Sequence, residues 1–312
     1  MKTVLITGIG GDIAQGVASI IRETRPKLRL IGVDMHGQHG GAHFVDEFIR
    51  IPPASAPDYL EVIRGVLASR AVDVLIPMSE PELGVMGSLI SELGENRCIT
   101  SGAQVVAAGL DKLATINALS GLGLPVPWTF AVGKELPSEY PCILKNRFGS
   151  GSRAVFTVRN DEEAAYLAKK YPDAIFQEML EPADREITCA VYRRRDGGIA
   201  SLLMLRRLAG GFTNWAKVIE DAATTSMCQA IAEGLNLRGS MNIQLRLTDK
   251  GPRVFEINPR FSSTVLMRHR IGYSDVLWAL DEAQGRIVSF PEILQNQIMV
   301  RVQGALIFED KS

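Results

Sequence analysis

Apolar and polar positions along this chain follow two different periods, and the change between them divides it. Residues 3–7 (TVLIT) are a short apolar run that stops at Gly8-Ile9-Gly10-Gly11; Ile13, Val17, Ile20 and Ile21 then recur at helical spacing. A second apolar run, 28–34 (LRLIGVD), ends at Asp34, and a third, 72–78 (VDVLIPM), follows a helical pattern around Leu60, Ile63 and Leu67. Strand, helix and strand in alternation behind a glycine-rich first turn predict an open parallel sheet. Ligands of such sheets bind beyond the carboxyl ends of the strands. That gathers Gly10, Asp34 and the turn Ser79-Glu80-Pro81-Glu82 around one crevice.

From about residue 100 to 137 a helical stretch starting near Asp111-Lys112 gives way to Pro125, Pro127 and Pro137, a passage into a second lobe. Strand patterns then crowd together at 142–147 (CILKNR), 174–179 (AIFQEM), 186–194 (EITCAVYRR) and 200–208 (ASLLMLRRL), with one helix around 164–170. A helix carrying Met227, Ile231 and Leu235 precedes 240–248 (SMNIQLRLT) and 253–260 (RVFEINPR). This is the pattern of a mainly antiparallel α+β lobe. In the last two strands the period of two is unusually informative. Asn242, Gln244 and Arg246 fall on one face, and Met241, Ile243, Leu245 and Leu247 on the other; Glu256, Asn258 and Arg260 likewise share a face. Paired as a hairpin, the two strands would gather amides, one carboxylate and arginines on one surface. Glu and Asn oxygens suit a hard cation such as Mg²⁺, and a guanidinium beside them suits an anionic substrate. A solvated face of an edge strand is the plainer alternative.

Composition narrows the function classes. The 312 residues, 46% hydrophobic and 22% charged, can fill two or three packed lobes. A formal net charge of −1 gives no basic field for nucleic acid or an anionic membrane, and no apolar run approaches the length of a membrane span. The first residues, MKTVLITGIGG, read as a strand and not as a signal peptide. Cys98, Cys142, Cys189 and Cys228 lie far apart in apolar or small-residue surroundings, as buried free thiols of a cytoplasmic protein would.

Two further motifs suggest ligands. Gly8-x-Gly10 with Asp34 downstream resembles a dinucleotide turn, but the third glycine is replaced by Ile13, so a nicotinamide is disfavoured and another small ligand expected. In Lys145-Asn146-Arg147-Phe148-Gly149-Ser150-Gly151-Ser152 a strand lysine runs into a Gly/Ser loop whose N–H groups can wrap phosphate oxygens. Alone, that segment is equally well an ordinary hairpin with a surface lysine. His36, His39 and His43 stand in a glycine-rich loop without a cysteine, which favours a substrate-facing or exposed turn over a zinc site.

Lys112, Lys145 with its Gly/Ser loop, Gln177-Glu178-Met179-Leu180, Glu186, NIQ at 242–244 and EINPRFSS at 256–263, in that order, resemble the ATP-grasp superfamily. The likeness is to its carbamoyl phosphate synthetase-like branch, which includes the pyrrolysine-pathway ligase, and it runs to about residue 280. It implies an α/β protein of ATP-grasp fold, with an N-terminal open parallel-sheet (pre-ATP-grasp) domain over 1–105, a small lobe with linker over 106–185 and a lobe with the metal site over 186–312. Two α+β lobes would clasp ATP. It implies phosphate contacts from Lys112, Lys145 and the loop Ser150, Gly151 and Ser152, and an adenine hinge at Glu178, Met179 and Leu180. Glu186 would lie at the ribose or substrate. Gln244, Glu256 and Asn258 would hold one or two Mg²⁺ (or Mn²⁺) ions, and Arg260 would steady an acyl phosphate. Arg206 and the turn Gly210-Gly211-Phe212-Thr213 would line the acceptor side, with Gly10, Asp34, Ser79 and Glu80 receiving substrate. Larger relatives carry biotin-carrier, glutaminase or second synthetase parts for which this chain has no room, so carbamoyl phosphate synthesis itself is not expected. The expected activity joins a small-molecule carboxylate to an amine through an acyl phosphate, releasing ADP and phosphate. A homodimer is left open. The alternatives are a non-catalytic nucleotide-binding or regulatory protein of the same fold and, further off, an NAD(P)-dependent oxidoreductase.

Overall fold

The computed structural model describes residues 1–149, 154–302 and 304. The first third is an αβ layer. Strand β1 (Thr3–Thr7) leads through the glycine turn into α1 (Asp12–Thr24), then β2 (Arg29–Asp34), a 3₁₀ turn (Gly40–Phe44), β3 (Glu47–Arg50), α2 (Tyr59–Ser69) and β4 (Val74–Ile76). The four strands pair in parallel in the order β3-β2-β1-β4. β1 is fully buried, as a parallel strand covered by helices on both faces must be. Short helices α3 (Glu80–Val85), α4 (Gly87–Leu93), α5 (Ala103–Gly109) and α6 (Lys112–Gly121) follow. Asp111 caps α6, its carboxylate accepting from Leu113 N at 2.9 Å.

The small lobe comprises β5 (Thr129–Ala131), β6 (Cys142–Asn146), β7 (Val155–Val158), α7 (Asp161–Lys170) and β8 (Ala174–Glu178), an antiparallel sheet ordered β5-β8-β6-β7. The large lobe has β9 (Glu186–Arg193), β10 (Ile199–Ala209), β11 (Phe212–Val218), α8 (Ala222–Gly234), β12 (Gly239–Thr248), β13 (Gly251–Asn258), α9 (Val265–Arg270), α10 (Asp275–Ala283) and β14 (Ile298–Val300). Its six strands are antiparallel in the order β13-β12-β9-β10-β11-β14.

Four apolar clusters hold these layers together. The first runs from β1 and α1 through α9 and α10 to the sheet residues Tyr192, Met204 and Val218, joining the N-terminal layer to one face of the six-stranded sheet. The second packs α5, α6 and α8 on the other face through Val105, Leu119, Met227 and Ile231 against Ile243, Leu245 and Ile257. Helices α5 and α6 thus pack on the six-stranded sheet. The third fills the far side of the parallel sheet under α2. The fourth, with Cys142, Leu144, Val158 and Phe176, belongs to the small lobe alone. All four cysteines are free and buried.

Candidate active site

The hairpin expected from the two patterned strands forms. β12 and β13 pair with Asn242 opposite Asn258 and Gln244 opposite Glu256, and a bulge follows Gln244. Met241, Ile243 and Leu245 fill the apolar cluster behind. β13 is an edge strand, as the plainer alternative has it, but its polar face is covered: Asn258 is only 5% exposed. Thr188 Oγ1 donates to Asn242 Oδ1 at 2.7 Å, while the amide nitrogens of Asn242 and Asn258 are buried without a partner.

Two ammonium groups approach Glu256. Lys145, on β6, is only 7% exposed, which removes the surface-hairpin alternative. Its Nζ donates to the Phe255 carbonyl at 3.2 Å. Burial pushes its pKa down to about 8, and repulsion from Lys112 adds to this while Glu256 opposes it. Lys112, the first residue of α6, donates to the Gly149 carbonyl at 2.6 Å and lies 3.7 Å from Glu256 Oε1. The start of α6 is also tied to the small lobe by a fork of Arg147 on Asp111, at 2.6 Å for Nη2–Oδ2, and by a backbone bridge between Asp111 and Phe148. Ser150, Gly151 and Ser152 lie outside the described residues.

Glu186, at the start of β9, accepts from Arg206 Nε and Nη2 at 2.9 and 2.7 Å and from Arg246 Nη2 at 2.6 Å. Arg206 Nη2 also donates to Gln244 Oε1 at 2.9 Å, and Arg246 Nη1 to the Leu180 carbonyl at 2.6 Å. The guanidinium of Arg206 is thus committed to Glu186 and Gln244. Arg246, given no role above although it stands in phase with Asn242 and Gln244, joins the segment after β8 to this cluster. Met179 is half-buried and Leu180 buried there. Glu178 lies across from Trp128, whose N–H donates to Glu178 Oε2 at 3.3 Å; the Trp128 indole N–H is buried without a partner.

The N-terminal sheet meets this surface at its carboxyl end. Asp34 accepts from Gly10 N at 2.8 Å and His36 N at 2.9 Å, so its carboxylate fixes the glycine turn. A Cβ on Gly10 would lie 2.8 Å from the His39 ring and 2.9 Å from Asp34, which explains the glycine. Glu82, beneath the turn, accepts from Thr7 Oγ1 and Ser79 Oγ at 2.6 Å each and from Tyr59 Oη at 2.9 Å. Burial pushes its carboxyl above the ordinary range despite these bonds. Glu80 Oε1 accepts from Arg260 Nη2 at 2.9 Å. Thr213, in β11, is fully buried with Oγ1 unpartnered. Arg301, unforeseen above, donates to the carbonyls of Thr213 and Ser263 and pairs with Asp12 at 3.3 Å. The turn 210–211 joins β10 to β11 as a hairpin.

Among the described residues no group of three His, Cys, Asp or Glu side chains is placed to hold a metal. His39 instead accepts from Gly41 N and packs edge-on against Phe48. One carboxylate with amide oxygens nearby is a donor set for a hard cation that takes its remaining ligands from phosphates and water.

Comparison with known proteins fits this arrangement. Residues 110–264 match the model of the ATP-grasp domain. The chain belongs to the ATP-grasp superfamily. The 3-methyl-D-ornithine–L-lysine ligase of Methanosarcina acetivorans is 22% identical over 98% of this chain and 82% of its own. A D-alanine–D-alanine ligase from Kineococcus radiotolerans is 30% identical, over 41% of this chain and only 38% of its own length. Among solved structures of the ATP-grasp fold, the N5-carboxyaminoimidazole synthetase of Staphylococcus aureus complexed with ADP superposes with a TM-score of 0.79, covering 96% of this chain and 82% of its own at 17% identity.

Proposed function

We propose that this protein is an ATP-dependent ligase that joins a small-molecule carboxylate to an amine. The observation that carries this function is the β12–β13 hairpin, which sets Glu256 and Asn258 opposite Gln244 and Asn242 with the ammonium of Lys112 beside Glu256. Such a site collects anionic oxygens, and several positive groups are needed to hold them together. Lys112 and Lys145 lie where triphosphate oxygens would be held, and Glu178 to Leu180 form the edge for the adenine. The segments 1–105, 106–185 and 186–312 then supply the substrate crevice, the nucleotide cover and the metal-bearing strands.

In the first step a carboxylate oxygen attacks the γ-phosphorus, the bond from that phosphorus to the bridging oxygen breaks, and ADP leaves. In the second, the amine nitrogen attacks the acyl carbon, the C–O bond to phosphate breaks, and a proton passes from nitrogen to the departing phosphate. Arg260 steadies the charge on the acyl phosphate oxygens. Mg²⁺ (or Mn²⁺) held by Glu256 with Asn258 and Gln244 would neutralise phosphate oxygens. No covalent nucleophile on the protein is needed. A cytoplasmic location accords with the buried free thiols.

The test is release of ADP with hydroxylamine as the nucleophile, which converts an acyl phosphate to a hydroxamate. ADP and hydroxamate should form together in the presence of Mg²⁺ and a suitable carboxylate, and Glu256→Gln should depress both by orders of magnitude. ATP binding without turnover on any carboxylate would favour a non-catalytic nucleotide-binding role.

A further inference from the structure

β13 ends at Asn258, and the chain that carries Arg260 runs on without helix or strand until α9 begins at Val265. Where the Arg260 backbone lies therefore depends on what grips its neighbours. The guanidinium itself pairs with Glu80 at 2.9 Å, but it reaches that partner only from a backbone already in place. Phe261 packs in the first apolar cluster, a contact without direction. Ser262 and Thr264, both buried, are gripped from behind. Arg268, on α9, donates through Nη1 to Ser262 Oγ at 2.8 Å and to Thr264 Oγ1 at 3.0 Å. The other edge of the same guanidinium forks onto Asp275 of α10, with Nε–Oδ1 at 3.0 Å and Nη2–Oδ2 at 2.6 Å. Asp275 also accepts from Ser240 Oγ at 2.5 Å, and the Ser240 carbonyl accepts from Ser101 Oγ at 2.6 Å. Ser240 stands two residues before Asn242 on β12. One arginine thus ties the loop of Arg260 to the strand paired with β13.

Arg268 and Asp275 are each only 1% exposed. Taking both charges out of water offsets most of their attraction, so a buried pair of this kind is often no more stabilising than apolar side chains of the same volume. A leucine or methionine at 268 would join α9 to α10 as well. It could not hold two hydroxyls at a set distance and direction, which charge-assisted hydrogen bonds do. The pair therefore contributes geometry where apolar packing would contribute stability alone. We infer that Arg268 is a positioning residue for the transfer step. By holding Ser262 and Thr264 it sets the direction in which Arg260 leaves β13, and through Asp275 and Ser240 it keeps that loop in register with the start of β12. This rests on the ligase function proposed above.

The experiment measures ADP and hydroxamate with ATP, Mg²⁺, hydroxylamine and whichever of the common L-amino acids, D-alanine, lactate or succinate the wild type turns over fastest. Arg268→Lys keeps the charge but has no fork, so it cannot hold Asp275 and both hydroxyls at once. Thr264→Val removes one hydroxyl at nearly constant shape, and Thr264→Ser keeps it. In Arg268→Lys and Thr264→Val kcat should fall on the order of 10- to 100-fold, the scale of a small misplacement of a catalytic group, with KM for ATP unchanged. Thr264→Ser should keep the wild-type kcat. Added to Arg260→Lys, Thr264→Val should lower kcat by less than about twofold more, because the group it positions is already gone. If Arg268→Lys does not fold, the two Thr264 variants decide. A loss as large on Arg260→Lys as on the wild type, full kcat in Thr264→Val, or a change confined to KM overturns the inference and leaves the ligase function standing. The network would then only hold α9 against α10. Neither ADP nor hydroxamate from any of these acids removes the ligase function and the inference with it.

Discussion

Lys145 shows how much one side chain's surroundings determine. Its ammonium is buried and its pKa is pushed down from 10.5 to about 8. Between those values the unfolded chain binds a proton that the folded one does not, so burial of the charge costs stability below pH 8 and that cost fades as pH rises to 10.5. ATP phosphates would favour the charged form. ATP affinity measured by calorimetry should therefore fall as pH rises through 8, by about tenfold between pH 7 and pH 9, the factor given by one pKa at 8. Lys145→Met should bind ATP weakly and show no such fall; a pH-independent affinity in the wild type would remove the phosphate contact. Arg260→Lys tests a different function. Its forked donors can hold two oxygens at once where lysine offers a compact charge. A role in the transition state predicts that kcat and kcat/KM fall together by roughly 2–4 kcal/mol. A rise in KM with kcat preserved would mean that Arg260 only positions the substrate.

At the scale of elements, the close approach of α5 to the end of β13 sets where Asn258 and Arg260 lie. A Cβ on Gly109 would stand 2.7 Å from Pro259 Cδ and 3.1 Å from the Ile257 carbonyl, and a proline ring cannot swing aside. Gly109→Ala should cost roughly 1–3 kcal/mol in urea unfolding, as overpacking does, and should lower kcat through displacement of Pro259. Unchanged turnover in a measurably destabilised variant would separate this packing from catalysis. The same scale shows what the sequence made legible. β1, β6, β9 and β12 were recoverable because long apolar or alternating runs reflect burial on one or both faces. β3, β5 and β14 are three or four residues long and only Met299 among their residues is buried, so periodicity carries too little signal. Phe212 and Thr213, read above as part of a turn, open β11, where Asn214 and Lys217 interrupt the apolar pattern and a double glycine precedes it. Within the site, the residues sharing one strand face could be grouped from spacing alone. Partners from distant segments could not: Glu80 with Arg260 and Asp12 with Arg301 depend on how the layers meet.

For the whole molecule, the apolar clusters decide which part can move. The N-terminal layer, the six-stranded sheet and its helices share clusters and form one body, whereas the small lobe has a core of its own, far fewer in residues. Local opening follows such boundaries. In hydrogen exchange without ligand, amides of β6 and β8 should exchange before those of β9 and β12, and ATP should slow β6 and β8 most. Uniform exchange across both sheets would mean that the lobes open as one.

Trp128 gives that motion an optical signature. It stands at the entrance to the small lobe, its backbone bound to Glu178, its ring stacked on Phe130 at 5.6 Å, its indole N–H buried and unpaired. The other tryptophans, 215 and 278, belong to the large lobe, and Trp278 is deep in its core. An adenine seated at Glu178 would alter the polarity around the Trp128 ring, so its emission should shift on nucleotide addition. With Trp128→Phe that shift should vanish while ADP release persists. Such a shift would make Trp128 a built-in fluorescent probe of nucleotide arrival at the small lobe.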